Sequence, residues 1–418
     1  MSKKNNEEKP TLGSYLELIG IIVFVVVTLI FFPHTVVWNI VVLLLMLSLL
    51  ITIHEFGHFI AAKKFGVHVY EFAIGMGPKV ISFKRKGDPT IYSLRALPIG
   101  GYNQLAGEVM EDDKELPKES FMCNKPKHQR IIILVSGVLM NFLLAIVFLF
   151  VMSCIWGTTN QDTVIKNVLK SSEAEKAGIQ AGDKILKMNN HKASDIDSLQ
   201  VVSLLKNKKN TNTYLIEHKD GSKSTYTLEI KNYVISKSTG EIVSETSDEN
   251  TFDKIIEDNK LNKDDYVEKK LAGFQFDTKN KKGFAHSIKY AFSKFKNTAC
   301  LMFRIIYYLI TGKLGLDALS GPVGMYTVVD AATNVGSTSY GLYNLIYLTA
   351  YISINLGVMN ILPFPAFDGG QLMFVVYEII TRKKGNADVE AVINLIGFIL
   401  IFSLMILITF KDIFKLIG

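Results

Sequence analysis

The feature that most constrains the fold of this chain is the uncharged apolar run Val36 to Ile53, which leads directly into the motif HEFGH. A run of this length predicts a helix long enough to cross a bilayer. On such a helix His54 and His58 lie one turn apart on one face, with Glu55 beside them. Two imidazoles at this spacing can bind one zinc ion, and the adjacent carboxylate can act on a water molecule.

The HEFGH motif has an alternative interpretation, because short motifs also arise by chance. The two histidines could cap a membrane helix at the level of the lipid headgroups without binding a metal. Ionisable side chains at membrane depth are energetically costly and are usually functional. The motif therefore predicts zinc-dependent hydrolysis inside a membrane, with Zn²⁺ as the cofactor.

The apolar residues of the chain are segregated into blocks. Of 418 residues, 49% are hydrophobic, and the formal net charge is +7. Long apolar blocks separated by charged stretches predict a multi-span protein of the lipid bilayer with a polar domain between spans. No basic stripe interleaved with aromatic residues is present, so nucleic acid is not expected as a partner. The cysteines Cys123, Cys154 and Cys300 form neither a disulfide framework nor a Cys-x-x-Cys metal pair.

The apolar blocks predict about five spans. The first block, Tyr15 to Phe32, resembles a signal peptide, but no small-residue cleavage site follows it, and we interpret it as a span that pairs with the zinc helix. The later spans are Ile131 to Ile155, Leu342 to Leu362 and Val392 to Phe410. Flanking basic residues place the zinc motif toward the cytosolic end of its span; they are Lys63, Lys64, Lys125, Lys127, Arg130, Arg382, Lys383 and Lys384.

Two segments between the spans predict other structures. Gly66 to Lys127 has short β-branched and aromatic runs punctuated by glycines, which predicts small strands and turns. This β region could lie against the membrane or form an ordinary cytosolic hairpin. Phe284 to Ile310 has apolar residues at near-helical spacing with lysines and an arginine between them, which predicts a helix at the membrane surface.

The polar stretch Thr158 to Lys282 predicts an α+β domain outside the cytosol. The expected order is a strand, a short helix that ends at Gly178, a tight turn at Ala181 to Asp183, a strand, a helix, and a hairpin that turns at Asp220 and Gly221. Within it, Ser236 to Glu249 has few large apolar residues, and this predicts a mobile insertion.

The span Leu342 to Leu362 ends in a break caused by Pro363 and Pro365. Broken helices at membrane depth occur where the freed backbone lines a site. The break places Asp368 at the depth of the two histidines, as a third metal ligand or, alternatively, as a helix cap. Asn355 and Asn360 lie within this span, and Asn141 lies within the span Ile131 to Ile155. Asn141 can serve the site, but it can equally make a structural hydrogen bond between helices.

These residues resemble those of the bacterial site-2 proteases, intramembrane zinc metalloproteases that carry an extracytoplasmic PDZ domain (the regulator-of-sigma-E-protease type). HEFGH is similar to the zinc helix of that family, NILPFPAFDGG to its second signature, and AEKAGIQAGDKIL to its PDZ core. LPIGGYNQLAGE, KPKHQRIIILVSGVLMNF and LSGPVG are similar to further elements. The departures are Phe367 in place of the usual leucine, SGVLMN without the common proline, the extra first span, and the long insertion after the PDZ-like core.

The resemblance implies a zinc ion held by His54, His58 and Asp368, with Glu55 as the general base. It implies a role for Asn355, and less directly for Asn360 and Asn141, in holding substrate. Single-span membrane proteins and signal-peptide remnants are the expected substrates, cleaved in the bacterial cell membrane near the cytosolic side. An unwound substrate is expected to pair with a strand edge between Tyr92 and Leu105, and the PDZ-like domain is expected to screen substrates by size.

The resulting fold prediction is a membrane α-helical bundle with a membrane-associated β region and an inserted extracytoplasmic PDZ-like α+β domain. Three rival functions remain: a PDZ-bearing receptor or scaffold without catalysis, a transporter, and a zinc storage or sensing protein. The predicted boundaries are 1–34 (tail and extra helix), 35–65 (zinc helix), 66–130 (β region), 131–156 (third span), 157–283 (PDZ-like domain), 284–341 (surface helix and linker) and 342–418 (broken helix and last span).

Overall fold

The computed structural model describes residues 12–31, 35–108, 116–159, 162–170, 172–203, 205, 211–236, 242–246, 266–276, 280–333, 338–383 and 385–417. The chain forms two compact units. The first lies within Met1–Ile155, Ser287–Met302 and Leu319–Gly418, and the second within Trp156–His286 and Phe303–Ala318.

The α-helices of the described residues are α1 (Leu12–Phe31), α2 (Val36–Lys64), α3 (Lys127–Trp156), α4 (Glu173–Lys176), α5 (Ile196–Ser203), α6 (Phe284–Ile310), α7 (Pro322–Thr333), α8 (Thr338–Ile361), α9 (Asp368–Thr381) and α10 (Ala387–Ile417). Four helical stretches are long and apolar enough to cross a membrane: Val36–Lys64, Lys127–Trp156, Ser339–Ile361 and Asp388–Lys415. They coincide with four of the predicted spans. In α1 the apolar stretch that qualifies is shorter, Ile19–Thr28, so the fifth span stays a prediction. The predicted connection at Pro33 and His34 lies outside the described residues.

The zinc helix α2 has a defined start and end. Its N-cap residue is Thr35, whose hydroxyl accepts a hydrogen bond from the backbone N–H of Trp38 at 3.2 Å. Lys63 and Lys64 occupy its last turn, where cations interact favourably with the helix dipole. The Lys63 ammonium also lies 2.6 Å from the Asp88 carboxylate in the turn of the following β hairpin. This ion pair ties the end of α2 to the β region.

Asp88 stays ionised over a wide pH range. Burial acts to raise the pKa of its carboxyl group, but the hydrogen bonds from Lys63, Thr90 and Tyr92 outweigh burial and hold the pKa well below its usual range. The ion pair with Lys63 therefore persists at any pH near neutrality.

The β region is built from strands β1 (Val69–Lys84) and β2 (Ile91–Leu105), as the glycine-punctuated pattern predicts. Both strands bend, so the first part of β1 pairs on two sides. Residues Phe72 to Ile74 face Tyr92 to Leu94 on one side and Gly101 to Asn103 on the other. The end of β1, Lys79 to Lys84, pairs with the start of β2. The resulting order leaves the segment Gly101–Leu105, which we call the inner edge, paired on one side only among the described residues.

One cluster of buried apolar side chains joins the β region to the helices that carry the predicted site. Phe59 of α2 and Phe72 of β1 meet with ring centroids 5.0 Å apart. Fully burying a side chain of this size contributes roughly 1.5–3 kcal/mol to stability. The cluster fixes α2, both strands, α3 and α9 against each other; its members include Phe59, Ala62, Val69, Phe72, Leu105, Ile133, Leu134 and Val375.

An ion pair and a pair of hydrogen bonds to a carboxylate join further helices of the first unit. The Arg130 guanidinium lies 2.7 Å from the Glu378 carboxylate, and both side chains are largely buried, which holds the end of α9 against the start of α3. In α10, the Asp412 carboxylate accepts hydrogen bonds from the backbone N–H groups of Gly321 (2.7 Å) and Gly324 (2.9 Å) at the start of α7. Both contacts join helices that are distant in the sequence.

The second unit contains the strands β3 (Thr158–Thr159), β4 (Ile165–Val168), β5 (Lys184–Met188), β6 (His191–Lys192), β7 (Thr211–Glu217), β8 (Lys223–Glu229), β9 (Lys231–Ser236), β10 (Ile242–Thr246), β11 (Tyr266–Leu271), β12 (Phe274–Phe276) and β13 (Asn280–Lys281). Its main sheet has the order β6-β5-β7-β8 and packs with α4 and α5 around a core that includes Ile165, Ile185, Leu199 and Ile216. The helix before Gly178 and the hairpin at Gly221 lie where the pattern predicts them, and both glycines have positive φ (82° and 84°).

The prediction of a mobile insertion over Ser236 to Glu249 is wrong for part of this segment. Strand β10, Ile242–Thr246, pairs antiparallel with β9, which also pairs with β11. The short apolar pair Ile242 and Val243 was too weak a signal because a strand depends on partners that are distant in sequence. Residues 237–241 and 247–265 lie outside the described residues.

Helix α6, Phe284–Ile310, has the predicted bounds. One of the lysines that lie between its apolar residues, Lys294, is buried, and its ammonium lies 5.4 Å from the ring centroid of Tyr347. A cation placed on an aromatic face is stabilised there, and sequence spacing alone does not show such a partner.

Candidate metal centre

Helix α2 presents the two histidines of HEFGH together. Both are buried, with 6% of His54 and 8% of His58 exposed, and their Nε2 atoms are 3.1 Å apart. Asp368, the first residue of α9, brings Oδ2 to 3.0 Å from Nε2 of His54 and 3.3 Å from Nε2 of His58. Three side chains from two distant parts of the sequence thus converge on one point.

These distances fit a zinc ion. At zinc–ligand bonds of about 2.0–2.1 Å, the ligand atoms of a tetrahedral site are about 3.3 Å apart, close to the three separations observed here. Among the described residues, the buried Oδ2 of Asp368 has no hydrogen-bond donor, although an unpaired buried carboxylate oxygen is costly. Two imidazole nitrogens and one carboxylate oxygen leave the fourth position of a tetrahedral zinc site for water or substrate.

Partners on α3 orient the imidazole rings. Nδ1 of His58 lies 2.8 Å from the backbone carbonyl of Ile133, so that Nδ1 carries the proton and Nε2 is free to bind metal. The carboxamide of Asn141 lies 3.1 Å from Nδ1 of His54. With the carboxamide oxygen turned toward this nitrogen, Asn141 accepts the proton of His54 in the same way. Asn141 is fully buried, and this contact favours a positioning role over substrate binding.

Two glycines allow α2 and α3 to approach closely. A Cβ atom added to Gly57 would lie 2.7 Å from the carbonyl carbon of Ser136. A Cβ atom added to Gly137 would lie 2.8 Å from Cε1 of His54 and closer still to Nε2 of His58. Gly137 was not predicted as a site residue; its one available signal is its position one turn before Asn141, on the same helix face.

The break between α8 and α9 sets the position of Asp368. The chain turns over Ile361 to Phe367, with Ala366 in the left-handed region at φ 74°. A Cβ atom at Gly369 would lie 2.6 Å from the carbonyl carbon of Ile361, so only glycine fits there. The N-cap residue of α9 is Phe367 and no side chain caps the helix; the alternative that Asp368 is a helix cap is therefore not supported.

Comparison with known proteins identifies the family. Residues 42–404 match peptidase family M50. The chain belongs to this family. It is 31% identical over 449 residues to the zinc metalloprotease RasP of Shouchella clausii, which covers 89% of this chain and 97% of that protein. It is 33% identical to a putative zinc metalloprotease of Clostridium acetobutylicum (90% and 97%) and 32% identical to one of Fusobacterium nucleatum (89% and 98%).

Family M50 membership makes this chain a zinc metalloprotease of the site-2 protease family, as the motifs predict. The four helices that are long and apolar enough to cross a bilayer agree with this membership and indicate a membrane protein. Helix α1 precedes the residues that match the family, consistent with the extra helix noted in the sequence.

In this family M50 protease Glu55 lies beside the cluster of His54, His58 and Asp368 and against the inner edge. Its carboxylate is half-buried and within electrostatic range of His58 and Asp368. The backbone N–H of Asn103 donates a hydrogen bond to it. The base predicted from HEFGH is therefore held by α2 on one side and by the β region on the other.

The predicted asparagines lie at different distances from the metal centre. Nδ2 of Asn360 is 3.4 Å from Nε2 of His54, at the rim of the cluster. Asn355 is half-buried and forms no hydrogen bond to the cluster among the described residues. Sequence reasoning missed Asn103, and it missed Glu108, which is within electrostatic range of His58 and Asp368 and is hydrogen-bonded to Gln371. The family-like stretch GGYNQLAGE contains both residues, but only the tertiary packing brings them to the candidate metal centre.

Proposed function

We propose that this protein hydrolyses a peptide bond within or near the transmembrane segment of single-span membrane proteins or signal-peptide remnants. The proposal is carried by the convergence of Asp368, at the start of α9, with His54 and His58 of the apolar, span-length helix α2. In this proposal these three residues hold the zinc ion and Glu55 is the general base. Zinc bound there would acidify a water molecule and polarise the scissile carbonyl.

Each of the chain's own groups has a defined part in the proposed reaction. Glu55 accepts a proton from the attacking water and returns it to the leaving amine. The Asn103 N–H orients the Glu55 carboxylate. Ile133 and Asn141 hold the two imidazoles in the tautomer that binds metal. Asn360, whose Nδ2 lies 3.4 Å from Nε2 of His54, is a candidate for holding substrate. Asn355, which precedes Asn360 on α8 by more than one turn, is a second candidate.

The inner edge is the proposed docking strand for substrate. A transmembrane helix hides its peptide groups in internal hydrogen bonds and must unwind before cleavage. The sequence predicts a docking edge somewhere between Tyr92 and Leu105. Because Tyr92 to Leu94 have strand partners on both sides, the part of this stretch proposed to accept a substrate strand is Gly101–Leu105. An extended substrate added to this edge would lie against Glu55.

The proposed topology follows the charge distribution. Basic residues flank the spans near the zinc helix end, the start of α3 and the end of α9, which places these ends in the cytosol. The second unit then lies outside the cytosol as the PDZ-like domain, and the protein is a multi-pass protein of the bacterial cell membrane. Water reaches the metal through a polar cavity that opens toward the cytosol.

Metal removal tests the proposed function. Protein purified in detergent is expected to cleave a single-span test substrate. A chelator that strips zinc is expected to abolish cleavage, because the zinc would be the Lewis acid that acidifies the water and polarises the scissile carbonyl. Adding one equivalent of Zn²⁺ should restore it, and Mg²⁺, which prefers oxygen ligands, should not. Undiminished cleavage by metal-free protein would contradict the proposal, and an absence of cleavage by zinc-loaded protein on every single-span substrate tried would favour a scaffold.

Deleting Thr158 to Lys282 tests the proposed screening role of the second unit. Thr158 and Lys281 are strand partners, so a short linker can close the gap. A substrate with a bulky outer domain should be cleaved about tenfold slower than its truncated form by the full chain, and this ratio should approach one in the deletion variant. Zinc content serves as the control for folding. A zinc-loaded deletion variant with unaltered selectivity would count against the screening role.

A further inference from the structure

The inner edge holds a buried carboxamide without a partner. Only 8% of Asn103 is exposed, yet among the described residues neither its Nδ2 nor its Oδ1 has a hydrogen-bond partner. A buried polar group without a partner is destabilising, and native chains retain such groups chiefly where a ligand or water completes them. The Asn103 side chain has two donor hydrogens and an acceptor available.

The fold places this carboxamide beside the reacting groups. Gly101, Asn103 and Leu105 alternate with more exposed residues, so they share the buried face of the edge. Gly101 packs on Thr52 of α2, where an added Cβ would lie 3.1 Å from the hydroxyl oxygen, and Leu105 belongs to the cluster around Phe59. Asn103 lies between Gly101 and Leu105 and is therefore level with Glu55. The backbone N–H of Asn103 contacts the Glu55 carboxylate.

Packing makes the position of Asn103 rigid. The hydroxyls of Ser48 and Thr52 donate to the carbonyl of Gly100 at 3.3 and 3.5 Å. The other end of the inner edge is held at Ala106, whose backbone N–H donates a hydrogen bond to the carbonyl of His68 at 2.9 Å. A group held on both sides can orient a ligand with little loss of entropy on binding.

We propose that the Asn103 carboxamide binds the backbone of the unwound substrate, forming a pair of hydrogen bonds with the N–H and the C=O of one extended residue next to the scissile bond. The N–H of that residue donates to Oδ1, and Nδ2 donates to its carbonyl oxygen. In an extended chain the N–H and C=O of one residue point to the same side whatever its side chain, so the contact selects for an unwound backbone and not for a residue type. A helical segment, whose peptide groups are already paired, cannot make it.

The inference rests on the proposed function, and Asn103→Val tests it. Valine suits a strand and removes the unpaired amide. We expect kcat/KM for a single-span test substrate to fall about 10- to 100-fold and KM to rise, because two hydrogen bonds to the substrate backbone are lost. Zinc content should be unchanged, and Tm should be equal or higher, because the cost of burying the unpaired amide is gone.

A matched control is Asn344→Val. The Asn344 carboxamide is satisfied, because its Nδ2 donates to the carbonyl of Ala332 at 3.0 Å. Its replacement should lower Tm and leave kcat/KM of the folded enzyme unchanged. The two variants thus separate a substrate-binding amide from a structural one.

Binding is measured apart from hydrolysis in the Glu55→Gln background, where uncut test substrate accumulates on the enzyme. Adding Asn103→Val should weaken its affinity by a similar factor, and Asn103→Ala serves if the valine variant does not fold. Unchanged affinity and turnover, or a lowered Tm that accounts for the lost activity, would overturn the inference. If the unaltered protein cleaves no single-span substrate, the proposed function fails instead.

Discussion

A Glu55→Gln variant should bind zinc as tightly as the unaltered protein and cleave substrate about 1,000-fold more slowly. Glutamine has the shape of glutamate but cannot accept the proton of the attacking water. The three converging atoms belong to His54, His58 and Asp368, so the replacement leaves the proposed metal ligands untouched. Zinc per chain is measured by elemental analysis, and cleavage by the appearance of product from a single-span substrate.

The matched control is Glu119→Gln, which changes an exposed glutamate and should leave both measurements unaltered. Loss of zinc from the Glu55 variant would show that this carboxylate is a ligand and not a base. Full function in cells that carry the Glu55 variant would favour the rival receptor or scaffold, which needs no proton transfer.

A Gly137→Ala variant should lose zinc affinity by about 10- to 100-fold, with a parallel loss of cleavage. The added methyl group would lie 2.8 Å from Cε1 of His54 and closer to Nε2 of His58, inside van der Waals contact with both imidazoles. Overpacking of this kind costs about 1–3 kcal/mol, and here the rings that must move are the proposed ligands. Zinc affinity is measured by titration against a competing chelator.

Gly20→Ala in α1 is the control for this substitution. No atom lies within 4 Å of a Cβ built at Gly20, so alanine there should leave zinc affinity unchanged and can raise helix stability slightly. If the Gly137 variant binds zinc with unaltered affinity, α2 and α3 separate easily, and the close packing around the two histidines is not needed to hold the metal.

Much of the fold could be predicted from the sequence because the signals are local. The uncharged run before His54 is long enough to cross a membrane whatever it packs against. The period of the α-helix alone puts His54 and His58 on one face. Pro363 and Pro365 cannot continue a helix, and α8 ends at Ile361. Family M50 membership agrees with these local signals.

Other features of the site depend on contacts between distant segments. Whether Asp368 meets the histidines depends on how α9 packs against α3, where Arg130 holds Glu378. The role of Gly137 is visible only from the imidazoles beside it. The strand Ile242–Thr246 was missed because its pattern is weak without β9.

Local sequence signals suffice for the apolar segments, for the position of the helix break, and for the placement of two imidazoles and a carboxylate within one turn of α2. Each of these follows from side-chain chemistry and backbone geometry within a few residues. The long-range packing of the chain is needed for three further features: Asp368 completes the cluster, Gly137 gives it room, and the Asn103 carboxamide is unpaired while its backbone N–H contacts Glu55. Those results depend on the packing of segments far apart in the chain, and packing is set by shape and excluded volume that no short pattern encodes.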